Sequence, residues 1–359
     1  MKIGLLLVGF GNVGRRFVAL LDELRDELAA LDIAPAVVGV MTRRHGNVFD
    51  SAGLDGGGVA HRLAKGDAVG PASVPSALEW CARLRSQGVE THVLVETTTL
   101  DIRSGEPAIS HVRAAFAAGA HVITANKGPV AFAYRALNDE AASAGVSFLF
   151  EGAVMDGVPV FNLVRETMPG VTIRGFRGVV NSTTNYILTG MEQGEPFDAA
   201  LSRMQAAGIA EADPSLDVDG WDAAAKAAAL ANVLLAAETT PLRVVREGVG
   251  PGTAARAAAA RAAGKRLKLV ASGSGRGPQA DIRVQLQELD PADPLGSLDG
   301  QANALELDTW PLGRIVITQR DGGLEQTAYA LVSDLVKVRR SLGPKAGRAR
   351  PRAKGLGPR

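Results

Sequence analysis

Between residues 211 and 226 the chain reads EADPSLDVDGWDAAAK, five carboxylates and one lysine within sixteen positions. Pro214 and Gly220 interrupt the first half, which places Glu211, Asp213, Asp217 and Asp219 on loop backbone. From Trp221 the run is rich in alanine and predicts a helix, on which Asp222 and Lys226 stand at i and i+4 and point the same way. Such a pair is ordinarily a surface contact that stabilises a helix by about 0.3–0.5 kcal/mol. Acids gathered ahead of a helix, with an ammonium group one turn in, suit another task as well. Carboxylates there hold the ammonium of an amino acid, while a lysine beside it polarises a carbonyl and passes a proton.

A second chemistry is written at the start of the chain. The apolar run 2–8 ends at Gly9-Phe10-Gly11-Asn12-Val13-Gly14, and Val13, Phe17, Leu20, Leu21, Leu24 and Leu28 then recur at helical spacing. Strand, glycine turn and helix in that order form a dinucleotide-binding signature. Gly9 permits the turn, Gly11 lets backbone approach a pyrophosphate, and Gly14 lets the helix pack closely on the strand. The helix N-terminus adds free N–H groups and the positive end of a dipole. A second strand over 36–42 ends at Arg43 and Arg44, where an NAD site usually carries an acid; two guanidinium groups suit a 2′-phosphate and favour NADP. A strand over 92–97 ends at Thr97 and Thr98, in a loop position that faces a bound cofactor. A strand over 121–124 leads to Ala125-Asn126-Lys127, which puts Lys127 at the nicotinamide end of the crevice.

These elements must be carried by a chain of 359 residues that is 46% hydrophobic and holds 42 glycines, the balance of a globular protein of two or three domains. No run of eighteen apolar residues occurs, and the N-terminal apolar segment is short and lacks a small-residue cleavage site. A cytoplasmic location without membrane contact is therefore expected. The single cysteine, Cys81, excludes an internal disulfide, and the five histidines show no zinc-ligand spacing. The expected fold is α/β: a Rossmann dinucleotide-binding domain over 1–150, completed by about 311–338, and a second α+β domain over 151–310 for substrate, catalysis and dimerisation. Residues 46–75 read as a long loop. In the second domain, strands are expected over 171–180, 267–271, 280–286 and 304–308, with Asn181-Ser182-Thr183-Thr184-Asn185-Tyr186 capping a helix. A strand over 315–318 and a helix over 325–337 are expected to return to the first domain. Residues 339–359 carry eight Lys or Arg and no acid, leaving 31 basic against 38 acidic residues elsewhere. That tail reads as a solvated, disordered extension rather than a nucleic-acid contact.

Taken in order, the glycine motif at 9–14, Thr-Ala-Asn-Lys at 124–127, the segment 151–159, Asn-Ser-Thr-Thr-Asn-Tyr at 181–186 and the acidic stretch 211–226 resemble homoserine dehydrogenase. The similarity runs from about residue 2 to residue 338 and is to the short form without an ACT domain. It implies reversible, NAD(P)-dependent interconversion of aspartate 4-semialdehyde and homoserine, a step toward threonine and methionine. By resemblance Lys226 is the acid/base and Lys127 a second lysine beside it, while Glu211, Asp222, Asp217 and Thr183 hold the substrate. The turn at 319–323, with Gly323, lies near the cofactor, and Glu151, Val154, Asp156 and Val158 match a segment that holds sodium, largely through carbonyl oxygens. A homodimer through the second domain is implied too. The sequence departs from the family at Ser182, at Asp321 in a glycine-poor turn, and in its basic tail. Rival readings are a phosphorylating semialdehyde dehydrogenase, for which Cys81 would have to be the nucleophile, another NAD(P)-dependent amino-acid oxidoreductase, and a nucleotide sensor without catalysis.

Overall fold

The computed structural model describes residues 1–70, 79, 91–206 and 213–343. Its strands are β1 (Lys2–Val8), β2 (Ala34–Met41), β3 (Asn47–Phe49), β4 (Thr91–Glu96), β5 (His121–Thr124), β6 (Phe148–Leu149), β7 (Thr172–Val179), β8 (Val245–Arg246), β9 (Arg266–Ser274), β10 (Asp281–Leu289), β11 (Asn303–Trp310) and β12 (Gly313–Gln319). They form two six-stranded sheets, ordered β3-β2-β1-β4-β5-β6 and β12-β11-β7-β9-β10-β8.

In the first sheet β2, β1, β4, β5 and β6 run parallel, and only β3 is antiparallel to its neighbour. Both faces are covered, so β1 is a nearly continuous apolar run, with Ile3, Leu5, Leu6 and Leu7 fully buried. The strand order reverses between β1 and β4. At that switch point the carboxyl ends of the strands part and leave a crevice, into which Gly9 and Thr97 emerge side by side, Thr97 N–H donating to Val8 O at 2.8 Å.

The second sheet is antiparallel except for the short β8–β10 pairing. The helices Ser182–Glu192, Trp221–Leu234 and Thr253–Ala262 pack against it. Trp221–Leu234 is buried almost all round: alanine at most of its positions lets strands and other helices close in on every side, and Asp222 and Lys226 are its charged exceptions.

Several expectations need correcting. Residues 46–75 are not a plain loop: β3 and a helix, Gly56–Ala64, lie within them. Asp55 caps that helix by accepting Gly58 N–H, and Val59 and Leu63 bury its inner face, so a local cap and apolar spacing overrode the glycine content. The strand expected over 315–318 does not return to the first sheet. It belongs to β12 and pairs with β11 through a tight connection, because a hairpin partner is adjacent in sequence. Only the last helix, Leu324–Ser341, returns, packing on Asn12–Glu23. That helix also takes in Arg339 and Arg340, expected in the tail, and Arg339 pairs with Asp32 at 2.9 Å. The rest of the tail, residues 344–359, lies outside the described residues, as do Glu211 and Cys81.

Candidate active site

The glycine turn opens a cleft of about 660 Å³ lined by Gly9, Phe10, Gly11, Arg15, Arg43, Arg44, His45, Thr97 and Thr98, among others. The geometry explains each glycine. Gly9 has φ +83°, and a Cβ there would lie 2.7 Å from the backbone of Thr97; Gly14 sits 3.2–3.3 Å from Phe10 and Thr97 in the same test. At Gly11 a Cβ would meet nothing within 4 Å, since this residue faces the open cleft. The helix that starts at Asn12 has no side-chain cap and no acid in its first turn, so its N–H groups remain available to an anion. Asn12 instead accepts a hydrogen bond from Arg15 at 2.7 Å. Arg43 and Arg44 are exposed on the cleft wall and, among the described residues, have no ion-pair partner. These residues fit a nicotinamide dinucleotide.

Deeper in, a pocket of about 200 Å³ is lined by Val13, Thr97, Thr98, Asn126, Lys127, Met155, Asp156, Lys226 and Thr327, with its remaining walls from small residues. Thr97 and Thr98 line both spaces, so the pocket adjoins the cleft. Lys127 is the first residue of the helix Lys127–Ala144, not a loop residue, because Asn126 caps the helix by accepting Gly128 N–H at 2.8 Å. The helix bearing Lys127 packs against the one bearing Lys226. Their ammonium groups meet on one carboxylate: Asp222 Oδ1 lies 3.2 Å from Lys127 Nζ, and Asp222 Oδ2 lies 2.9 Å from Lys226 Nζ. Lys226 also donates to Val180 O at 2.7 Å.

Asn181 joins the acids. Its Nδ2 donates to Asp217 at 2.6 Å and to Asp222 at 2.9 Å, while its Oδ1 accepts from Thr184 N–H and hydroxyl. One side chain thus caps a helix and organises the site, a role sequence reasoning did not assign to it. Asp217 stands in a short helical turn, Ser215–Val218, rather than in irregular loop. Thr183 is buried in the first turn of Ser182–Glu192 and lines neither space.

The charges tune one another. Burial alone would raise the Asp222 carboxyl, but Lys127, Lys226 and Asn181 hold it well below the carboxylate range. Burial alone would lower the Lys226 ammonium; the carboxylates of Asp222 and Asp156 more than offset this, and its pKa lies above the ordinary lysine value. The Asp217 carboxyl is pushed up, first by burial and then by Asp222, with the Asn181 hydrogen bond opposing.

The segment expected to hold sodium closes the pocket from the other side. Met155 and Asp156 adopt φ of 55° and 53°, a left-handed turn that side chains rarely take. Asp156 gathers the last part of the chain, accepting from Gln319, from Gly323 N–H and from the Thr327 hydroxyl at 3.0–3.2 Å. Gly323 is therefore next to the pocket without lining it. Glu151 points into protein, its two oxygens each 2.8 Å from the N–H groups of Phe161 and Asn162. With both carboxyls committed, an ion here would rest on backbone carbonyls, with Val154 and Val158 supplying no polar side-chain atom. Among the described residues no cluster of His, Cys, Asp and Glu suits a metal.

The family model "Homoserine dehydrogenase, NAD binding domain" matches residues 9–151, and the model "Homoserine dehydrogenase" matches residues 159–336. An NAD(+)-dependent homoserine dehydrogenase of Pseudomonas canavaninivorans is 34% identical over 342 residues, covering 94% of this chain and 96% of that protein. The chain belongs to the homoserine dehydrogenase family. It is an NAD(P)-dependent oxidoreductase with a Rossmann-like domain and a second catalytic domain. Two solved relatives share the fold: a putative homoserine dehydrogenase of Archaeoglobus fulgidus (TM-score 0.80, 28% identity, 94% of this chain and 99% of that one) and a hyperthermophilic archaeal homoserine dehydrogenase in complex with NADPH (TM-score 0.77, 28% identity, 94% and 98%). The sensor and thiol-dependent readings are not favoured.

Proposed function

We propose that this homoserine dehydrogenase reduces aspartate 4-semialdehyde with Lys226 as proton donor. The observation that carries this reading is the meeting of Lys127 and Lys226 on Asp222, in a small pocket that adjoins the glycine cleft. The cofactor supplies the hydride. As the aldehyde carbon is reduced, its oxygen gains negative charge, and Lys226, held protonated by Asp222 and Asp156, delivers a proton to it. Lys127 adds a second positive group beside the developing alkoxide. Asp217, Asp222 and Glu211 provide the negative charge that holds the substrate ammonium, with Thr183 in the supporting helix. In the reverse direction Lys226 accepts the alcohol proton, so it must first be deprotonated. Lys226→Ala is expected to remove turnover while leaving cofactor affinity near that of the wild type, measured by steady-state kinetics beside a cofactor titration. Near-normal turnover would exclude Lys226 from the chemistry.

Arg43 and Arg44, just beyond β2 and without an ion-pair partner among the described residues, support a preference for NADP over NAD. Residues 1–150 with the last helix then hold the cofactor, and the second domain holds the substrate. A homodimer through the second domain is supported by the exposed apolar side chains of Trp310 at the end of β11, Leu312 in the connection and Val316 on the edge strand β12; a monomeric mass in sedimentation would refute it. A sodium ion on the carbonyls of the 151–158 turn suits neutral donors, and turnover unchanged when sodium is replaced by a bulky organic cation would refute it. A cytoplasmic enzyme of amino-acid biosynthesis toward threonine and methionine is part of the same proposal. Separately, no helix among the described residues is long and apolar enough to cross a membrane. Neither a nucleic acid nor a membrane is expected as a partner.

A further inference from the structure

Glu96, the last residue of β4, is fully buried, and its carboxyl lies under the floor of the catalytic pocket. One oxygen accepts from Thr98 N–H at 3.1 Å and from the Thr98 hydroxyl; the other lies 3.2 Å from the Thr124 hydroxyl at the end of β5. Thr124 in turn accepts Asn126 N–H at 2.9 Å. Asn126 Nδ2 returns to Thr98, donating to its carbonyl at 3.1 Å and its hydroxyl at 3.3 Å, and Asn126 Oδ1 caps the helix whose first residue is Lys127. A closed ring of hydrogen bonds therefore ties two strand ends together and fixes the start of the Lys127 helix. The imidazole of His111 lies beside it, Nδ1 3.7 Å from a Glu96 oxygen; this ring is buried, its Nδ1 has no hydrogen-bond partner, and it lines the cofactor cleft.

We propose that Glu96 is a positioning residue for the reaction: through Thr98, Thr124 and Asn126 it sets the place of Lys127 relative to Asp222. The carboxyl touches neither space directly, being wholly enclosed. One oxygen accepts from Thr98, just past β4, and the other from Thr124 at the end of β5, so the carboxylate links two neighbouring strand ends. The inference rests on Lys127 acting in the pocket, as set out above. A group that fixes geometry for a lysine acts on the rate more than on affinity, because displacement by a fraction of an ångström is felt most in the transition state.

The test is a double-mutant cycle of Glu96→Ala and Asn126→Ala, with turnover measured at saturating homoserine and cofactor, cofactor affinity by titration, and the thermal midpoint for each variant. Each single variant is expected to lose turnover by roughly tenfold or more, and the double variant to fall no further than the worse single one, since both break the same ring. Glu96→Gln keeps one oxygen for Thr98 and is expected to recover part of the lost rate. If Glu96→Ala does not fold, Thr124→Val takes its place in the cycle, since it breaks the same ring at the other oxygen of Glu96. Additive losses, or turnover unchanged in folded Glu96→Ala or Thr124→Val, would overturn the proposal. Lys127→Ala separates the two layers: unchanged turnover there removes Lys127 from the chemistry and the inference with it, whereas loss there with none at Glu96 refutes the positioning role alone.

Discussion

Replacing Asp222 with Asn strikes the centre of the site while keeping its shape. In the native protein two ammonium groups lie 2.9 and 3.2 Å from the Asp222 oxygens. At an effective dielectric of about 20, Coulomb's law gives each contact roughly 5 kcal/mol before screening, while measured shifts from one adjacent opposite charge are about 1–3 pH units. Asn supplies one acceptor where Lys127, Lys226 and Asn181 all present donors, so its amide group must face a donor. With Asp222 neutral, burial becomes the dominant influence on Lys226, and burial lowers a lysine. The alkaline limb of homoserine oxidation, where Lys226 loses its proton, is expected to move down by about 1–3 pH units. The assay is turnover against pH in the oxidation direction at saturating substrate, for the wild type and the variant. The Michaelis constant is expected to rise too, as one acid of the proposed ammonium site is lost, but the position of the limb is independent of its height. A limb that stays at the same pH would show that the titrating group is not Lys226 or that Asp222 does not govern it.

Replacing Arg43 and Arg44 together by Ser is expected to lower kcat/KM for NADP by about 10–100-fold while NAD changes by less than about threefold, as expected for loss of charge-assisted hydrogen bonds to a phosphate; equal losses with both cofactors, or a wild-type preference for NAD, would refute the phosphate role. Asp334, enclosed in the last helix and accepting Glu151 N–H at 2.9 Å, is raised by burial from 3.8 to about 7. Because the folded state then holds this proton longer than the unfolded state, native stability falls as pH rises from about 4 to about 7. Asp334→Asn keeps an acceptor but cannot ionise, so its stability relative to the wild type is expected to grow across that window by on the order of 2–4 kcal/mol in urea unfolding. A difference independent of pH would contradict the assignment.

Much of the fold was legible because its signals are local. An apolar run, a glycine turn and helical spacing lie next to one another in the chain, and the alanine-rich helix that carries Asp222 and Lys226 announces itself by composition. The glycine-rich stretch 46–75 misled for the same reason: composition outweighed a cap at Asp55 and two apolar contacts. The sheet that β12 joins was misread because a strand carries no mark of which sheet that will be. Hydrogen bonding to β11 decided that.

The residue types and their order along the chain were enough to single out both lysines, Asp222 and the glycine turn as candidates, since proton transfer to an amino acid and dinucleotide binding call for such groups. What the chain alone did not contain was their meeting. Lys127 and Asp222 stand far apart in sequence and touch only because two helices from different domains pack together. The roles of Asn181, Asp156 and Glu96 depend likewise on partners brought in from other strands and helices. A hydrogen bond is a matter of distance and direction in space, and those belong to the packed molecule.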